Sequence, residues 1–113
     1  MEPEGGCREL SPRECFLLIG GSPGDRCIIL DVRTADEFRE GHLEGAENLD
    51  FYRPDFKELF TGRDKTCGYL VYCKKGLRGK KTMEFMRECG FQDVTNISGG
   101  FENWMASGLP VKQ

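Results

Sequence analysis

Three short apolar runs, each followed by a helical pattern, constrain this chain most. Cys27-Ile28-Ile29-Leu30-Asp31-Val32, Tyr69-Leu70-Val71-Tyr72 and Val94-Thr95-Asn96-Ile97 all have strand length. A half-exposed strand alternates apolar and polar residues, so near-continuous runs point to strands covered on both faces. The intervals carry helix signals. Ser11-Pro12-Arg13-Glu14 sets an N-cap, an N1 proline and an N3 glutamate in order, and Cys15–Ile19 continues that helix to Gly20-Gly21. Thr34 and Glu37 repeat the capping pattern before Phe38, and Gly41–Gly45 forms a turn cluster. Ala46–Leu49 reads as a short strand, and Pro54–Phe60 as a helix with Phe56, Leu59 and Phe60 on one face. A further helix is predicted from near Gly79 to Cys89, burying Thr82, Met83 and Met86, with Gly90 as its C′ residue. The last helix follows Gly99-Gly100, carries Phe101, Trp104 and Met105, and stops at Gly108-Leu109-Pro110. Strands alternating with helices predict an α/β fold, a small parallel sheet with helices on both faces.

At 113 residues, 38% hydrophobic and 31% charged, the chain has the size and composition of a single domain. We expect that domain over residues 11–113, after a loosely ordered N-terminal segment, residues 1–10. A net charge of −3 argues against nucleic acid or an anionic membrane surface as partner. No apolar run approaches the roughly 18–20 residues of a membrane span. The acidic start Met1-Glu2-Pro3-Glu4-Gly5-Gly6 lacks the basic and apolar regions of a secretory signal, so a cytoplasmic setting is expected. In that setting the six cysteines are expected as free thiols, and none forms a Cys-x-x-Cys pair. His42 is the only histidine, which excludes a multi-histidine metal centre, and neither metal nor cofactor is expected.

In open α/β sheets ligands bind beyond the carboxyl ends of the strands. Asp31-Val32-Arg33, Cys73–Arg78 and Ser98-Gly99-Gly100 all fall at such ends, so the topology gathers them along one edge. Residues 74–81 hold Lys74, Lys75, Arg78, Lys80 and Lys81 and no acid. A cysteine that leaves a strand toward a helix N-terminus, under that positive charge, is favoured as the nucleophilic thiolate. Gly76 lets the loop turn its N–H groups inward as an anion nest. Arg78 offers a planar fork for an oxyanion. The roles expected of the remaining polar and aromatic residues are structural. Asp31 and Arg33 fix neighbouring loops, His42 makes a hydrogen bond within its turn, and Phe101 and Trp104 pack in the core. Cys67 lies at the far end of the Tyr69–Tyr72 strand, too distant to resolve Cys73 as a disulfide.

Taken together, the motifs resemble the single-domain rhodaneses, the thiosulfate-type sulfurtransferases, over about residues 11–111. The resemblance rests on Leu30-Asp31-Val32-Arg33 with Glu37-Phe38, on Gly41-His42-Leu43-Glu44-Gly45-Ala46, on Tyr72-Cys73 with its Cys-x-x-Gly-x-Arg loop, and on Ser98-Gly99-Gly100-Phe101 with Trp104 and Gly108–Val111. It implies a rhodanese-like sheet of about five strands. It implies Cys73 as the catalytic residue that accepts a sulfane sulfur, becomes a persulfide and passes the sulfur on. The amides of Lys74, Lys75, Gly76, Leu77, Arg78 and Gly79 would cradle that persulfide, with Asp31 and Arg33 supporting. The implied partners are a small anionic sulfur donor such as thiosulfate and a cyanide or thiol acceptor, including a thiol on a partner protein. Two positions depart from the family pattern: Glu44 stands where proline is usual, and Gly79 where serine or threonine often follows the arginine.

Related dual-specificity phosphatases place five residues between cysteine and arginine and a histidine before the cysteine. Here only Lys74, Lys75, Gly76 and Leu77 intervene, and Tyr72 precedes Cys73. The tighter loop suits a single sulfur better than a tetrahedral phosphate. A persulfide carrier remains the nearest alternative to an enzyme; a phosphatase or a catalytically silent binding module stands further off.

Overall fold

The computed structural model describes residues 6–20 and 27–113. Five parallel strands, β1 (Gly6–Leu10), β2 (Cys27–Asp31), β3 (Glu47–Asn48), β4 (Gly68–Tyr72) and β5 (Asp93–Ile97), form one sheet in the order β1-β5-β4-β2-β3. Four α-helices alternate with them: α1 (Pro12–Leu18), α2 (Ala35–Glu40), α3 (Leu77–Glu88) and α4 (Gly100–Ala106). The α/β parallel sheet expected from the apolar runs is therefore present, with two separate cores. On one face Leu30, Val71 and Val94 pack with Met83 and Met86 of α3 and with Phe56 and Phe60. On the other, Ile29, Leu70 and Ile97 pack with Cys15 of α1 and Phe101 and Trp104 of α4.

Both capping boxes form. The Ser11 hydroxyl accepts from the Glu14 N–H while Glu14 accepts from the Ser11 N–H, and Thr34 and Glu37 do the same at α2. Three expectations are revised. Of residues 1–10, expected as loosely ordered, residues 1–5 lie outside the described residues and residues 6–10 are strand β1, paired with β5 from Gly6↔Asp93 to Leu10↔Ile97. This strand sits at the sheet edge, where Arg8 and Glu9 can stay wet, so it never shows the apolar run of a buried strand. The stretch expected as a helix from Pro54 is a 3₁₀ helix, Phe56–Phe60, still presenting Phe56 and Phe60 to the core. Finally, α3 begins at Leu77 rather than near Gly79, because Gly76 at φ 109° caps it with backbone conformation alone. Such a cap leaves no Ser, Thr, Asp or Asn for a sequence reading to find.

Candidate functional site

Parallel pairing sets the register that builds the site. Leu30 lies beside Val71 and Val71 beside Asn96, so β2, β4 and β5 end level with one another. The three segments expected to converge do so. Asp31–Arg33 leaves β2, Cys73–Arg78 leaves β4, and Ser98–Gly100 leaves β5. The Phe101 N–H donates to the Cys73 carbonyl at 2.8 Å, and the Glu102 N–H to the Lys74 carbonyl at 3.0 Å. The start of α4 thus holds the Cys73 loop from outside.

Inside the loop, Cys73 Sγ accepts from the Gly76 N–H at 3.1 Å and from the Gly79 N–H at 3.2 Å. Cys73 is 1% exposed. Two other buried cysteines show what burial alone does. Desolvation pushes the Cys15 thiol up to about 12 and the Cys27 thiol up to about 11, so both stay protonated at neutral pH. Cys73 differs from them in being met by two N–H groups aimed at its sulfur. The expected cradle from Lys74 to Gly79 is accordingly sharper than the sequence suggests: Gly76 and Gly79 supply the donors to the thiol. Leu77 and Arg78, between them, occupy the first turn of α3, with Leu77 66% exposed.

The cations divide by role. Lys74 and Lys75 are exposed, and Lys74 stands 3.9 Å from Glu102. Such an exposed pair contributes little to stability, so both ammonium groups remain available to an incoming anion. Arg78, expected to offer its fork to a ligand, directs Nη1 to Glu37 Oε1 at 3.3 Å and lies 5.5 Å over the Tyr52 ring. Glu37 and Tyr52 are site neighbours that the sequence reading missed. The capping box identified Glu37 but gave it a local task; its long-range task depends on the first turn of α2 lying beside Arg78 in the first turn of α3. The Glu37 carboxyl sits below the usual carboxylate range: burial opposes this, but hydrogen bonds from the Thr34 N–H and from Arg78 outweigh burial. A carboxyl held low in the folded state contributes stability above its unfolded value and loses it as pH falls through its folded value. The Arg78 clamp is therefore lost on acidification below the ordinary glutamate range. In an acid series of melting curves, Glu37→Gln should flatten that limb relative to the parent.

Asp31 and Arg33, expected to fix neighbouring loops, form a buried ion pair. Arg33 donates through Nε to both Asp31 carboxylate oxygens at 3.0 and 3.1 Å and through Nη2 to Asp31 Oδ2 at 2.7 Å and the Gly41 carbonyl at 2.6 Å. Its guanidinium also lies 4.1 Å over the Phe101 ring. This buried pair joins β2, the Gly41 turn and α4. His42 Nδ1 is 2.8 Å from the Phe38 carbonyl and its ring stacks on Phe38, the local hydrogen bond expected of it. The Tyr72 hydroxyl accepts from the buried Leu43 N–H at 3.1 Å. Tyr72→Phe should leave that donor without a partner and cost about 1–3 kcal/mol, read from the urea midpoint.

A cavity of about 340 Å³ beside the loop is lined by Arg33, Glu37, Glu40, Lys74, Phe101 and Glu102. A larger one, about 450 Å³, lies between the 3₁₀ helix and α3. Cys73 lines neither cavity; the first reaches Lys74 of its loop and Phe101, whose N–H holds the Cys73 carbonyl. Among the described residues no cluster of three or more His, Cys, Asp or Glu side chains is arranged to hold a metal.

The rhodanese-like domain model matches residues 17–107. The chain belongs to this family. Rhodanese relatives include thiosulfate sulfurtransferase 16, chloroplastic, of Arabidopsis thaliana, 34% identical over 93 residues, covering 74% of this chain and 78% of the relative. Another is thiosulfate sulfurtransferase GlpE of Coxiella burnetii, 34% identical over 79 residues, covering 70% of this chain and 72% of the relative. Among solved structures, a rhodanese-related protein from Thermoplasma volcanium superposes with a TM-score of 0.80 at 23% identity, covering 93% of this chain and 97% of that one. The rhodanese fold is thus shown twice over, by sequence and by shape, and the family is one of sulfurtransferases.

Proposed function

We propose that this rhodanese transfers a sulfane sulfur from a small anionic donor such as thiosulfate to a thiophilic acceptor, through a persulfide on Cys73. The observation that carries the reading is the pair of N–H groups, Gly76 and Gly79, aimed at Cys73 Sγ from 3.1 and 3.2 Å. The thiolate attacks the outer sulfur of thiosulfate, forming an S–S bond. The original S–S bond breaks and its electron pair leaves on sulfite. Cyanide or an acceptor thiolate then attacks the outer persulfide sulfur, and the bond pair returns to Cys73. Both steps keep one negative charge at the loop, so donors fixed before reaction stabilise it throughout. Lys74 and Lys75 attract the dianionic donor. Arg78, tethered by Glu37, shapes the loop and presents positive charge to the donor's sulfonate end. Lys74, Lys75, Gly76, Leu77, Arg78 and Gly79 together form the binding cradle, with Asp31 and Arg33 holding the strand end beneath it. A cytoplasmic setting, with its supply of thiol acceptors, belongs to the same proposal.

The test incubates the protein with thiosulfate and cyanide and follows thiocyanate, with intact-mass analysis after thiosulfate alone. Sustained thiocyanate formation and a one-sulfur mass gain mapped to Cys73 support the enzyme. A stable mass gain with negligible turnover identifies a persulfide carrier. Hydrolysis of an aryl phosphate in place of either would overturn the sulfur reading.

A further inference from the structure

Asn96 is fully buried on β5, yet its side-chain oxygen Oδ1 has no hydrogen-bond partner. Buried polar atoms are rarely left so, and one that is asks what else the side chain does. Its nitrogen Nδ2 donates to the Gly76 carbonyl at 3.1 Å and to Glu9 Oε2 at 2.8 Å. The oxygen lies against Gly79: a Cβ built on Gly79 would stand 2.2 Å from Asn96 Oδ1. Asn96 therefore touches the two residues, Gly76 and Gly79, whose N–H groups meet Cys73 Sγ.

We infer that Asn96 is the positioning residue of the Cys73 cradle, oriented by Glu9 and fitted to a glycine at 79. This rests on Cys73 as the reacting group. Gly76 is held on both sides, its carbonyl by Asn96 at 3.1 Å together with the Lys80 N–H at 2.9 Å, and its N–H directed at the sulfur, which restrains the orientation of that donor. Turning the carboxamide over would set its oxygen against two acceptors, the Gly76 carbonyl and the Glu9 carboxylate, so the orientation has one favoured sense. Gly79 makes room for it. At this position, where the family often carries a hydroxyl residue, the Asn96 carboxamide leaves no room for a side chain. Glu9 belongs to β1, so the edge strand reaches the active loop through a single side chain. The Glu9 carboxylate and Asn96 are 87 positions apart in sequence and adjoin only because β1 pairs with β5.

The charged groups around Asn96 can be separated from its hydrogen bond by substitution with a neutral residue of similar size. In Asn96→Leu the Gly76 carbonyl loses its side-chain donor and keeps only the Lys80 N–H, at 2.9 Å, without any change of charge. The pH–rate profile of Cys73 alkylation by iodoacetamide, read on the Cys73 peptide and normalised to its high-pH plateau, should move to higher pH. The normalised rate at neutral pH should fall about tenfold, as expected for weakening one hydrogen bond to a charged acceptor. In ¹⁵N-labelled protein, the Gly76 amide resonance should respond less to alkylation of Cys73 than it does in the parent, while that of Gly79 keeps its response. An unchanged profile overturns the inference, whether or not the melting temperature falls, because a merely structural side chain would lower stability and leave the profile in place. If Asn96→Leu fails to fold, Glu9→Ala at the exposed end of the network carries the test: a profile displaced to higher pH supports the inference, whereas an unchanged one, or the shift to lower pH that loss of the carboxylate charge alone gives, overturns it. Gly79→Ser supplies a second arm. Alone it should clash with Asn96 and lose stability; combined with Asn96→Ala it should recover most of that loss, and additive losses would overturn the fit between the two positions. None of these measurements uses thiosulfate, so a failed sulfurtransferase assay beside a displaced profile would refute the proposed reaction and leave the cradle assignment standing.

Discussion

Cys73→Ser should lower thiocyanate formation by at least about 10³-fold while the protein stays folded. A serine oxygen is far harder to ionise at neutral pH and cannot form the S–S bond that stores the cargo. The fold should tolerate the change, since a hydroxyl at the same place can still accept from the Gly76 and Gly79 N–H groups seen on the sulfur. Steady-state assay with thiosulfate and cyanide measures the first effect, and a urea midpoint within about 1 kcal/mol of the parent checks the second. Five further cysteines make this a real discrimination. Cys15 and Cys27 are held as protonated thiols by burial, at about 12 and about 11, and so cannot substitute at neutral pH. Residual turnover in the serine variant would have to come from Cys7, Cys67 or Cys89, which the structure leaves partly exposed. Activity near that of the parent would move the sulfur away from the loop altogether.

The sheet was legible because burial on both faces writes itself as short apolar runs, and β2, β4 and β5 are such strands. The capped helices were legible because Ser11, Glu14, Thr34 and Glu37 satisfy backbone groups with side chains that can be read. β1 was not, since an edge strand with Arg8 and Glu9 reads as polar chain and acquires its role only by pairing with β5. The start of α3 was missed for a related reason: Gly76 caps it by a left-handed backbone, which carries no side-chain signal.

Within the site the same division holds. Cys73, the basic run and Arg78 announce themselves by residue type and spacing in one short stretch. Glu37, Asn96 and Glu9 come from elsewhere in the chain and read locally as a cap, a strand residue and part of a loose N-terminal segment, and Tyr52 carries no signal of its own. Their second contacts exist only after the strands are in register. The expectation that Arg78 faces a ligand alone lacked this information, because its partner Glu37 is 41 residues away.

The backbone contact between the loop and α4 makes Gly100 the position where the smallest change should do most damage to the fold. Gly100 has φ +66°, and a Cβ there would lie 2.5 Å from the Cys73 carbonyl oxygen and 2.6 Å from the Lys74 carbonyl carbon and oxygen. These are backbone atoms fixed by their own hydrogen bonds from Phe101 and Glu102, so no flexible side chain can yield. Gly100→Ala combines the cost of a left-handed non-glycine residue with a displacement of the Cys73 loop, together about 3 kcal/mol or more. Chemical denaturation should show the loss directly. Gly108 offers the internal control: it also has positive φ, +74°, but nothing lies within 4 Å of a Cβ placed there. Gly108→Ala should pay only the conformational part, about 1 kcal/mol. Equal losses at the two positions would mean that the loop yields to the intruding methyl, and that α4 does not hold Cys73 in place as its hydrogen bonds indicate.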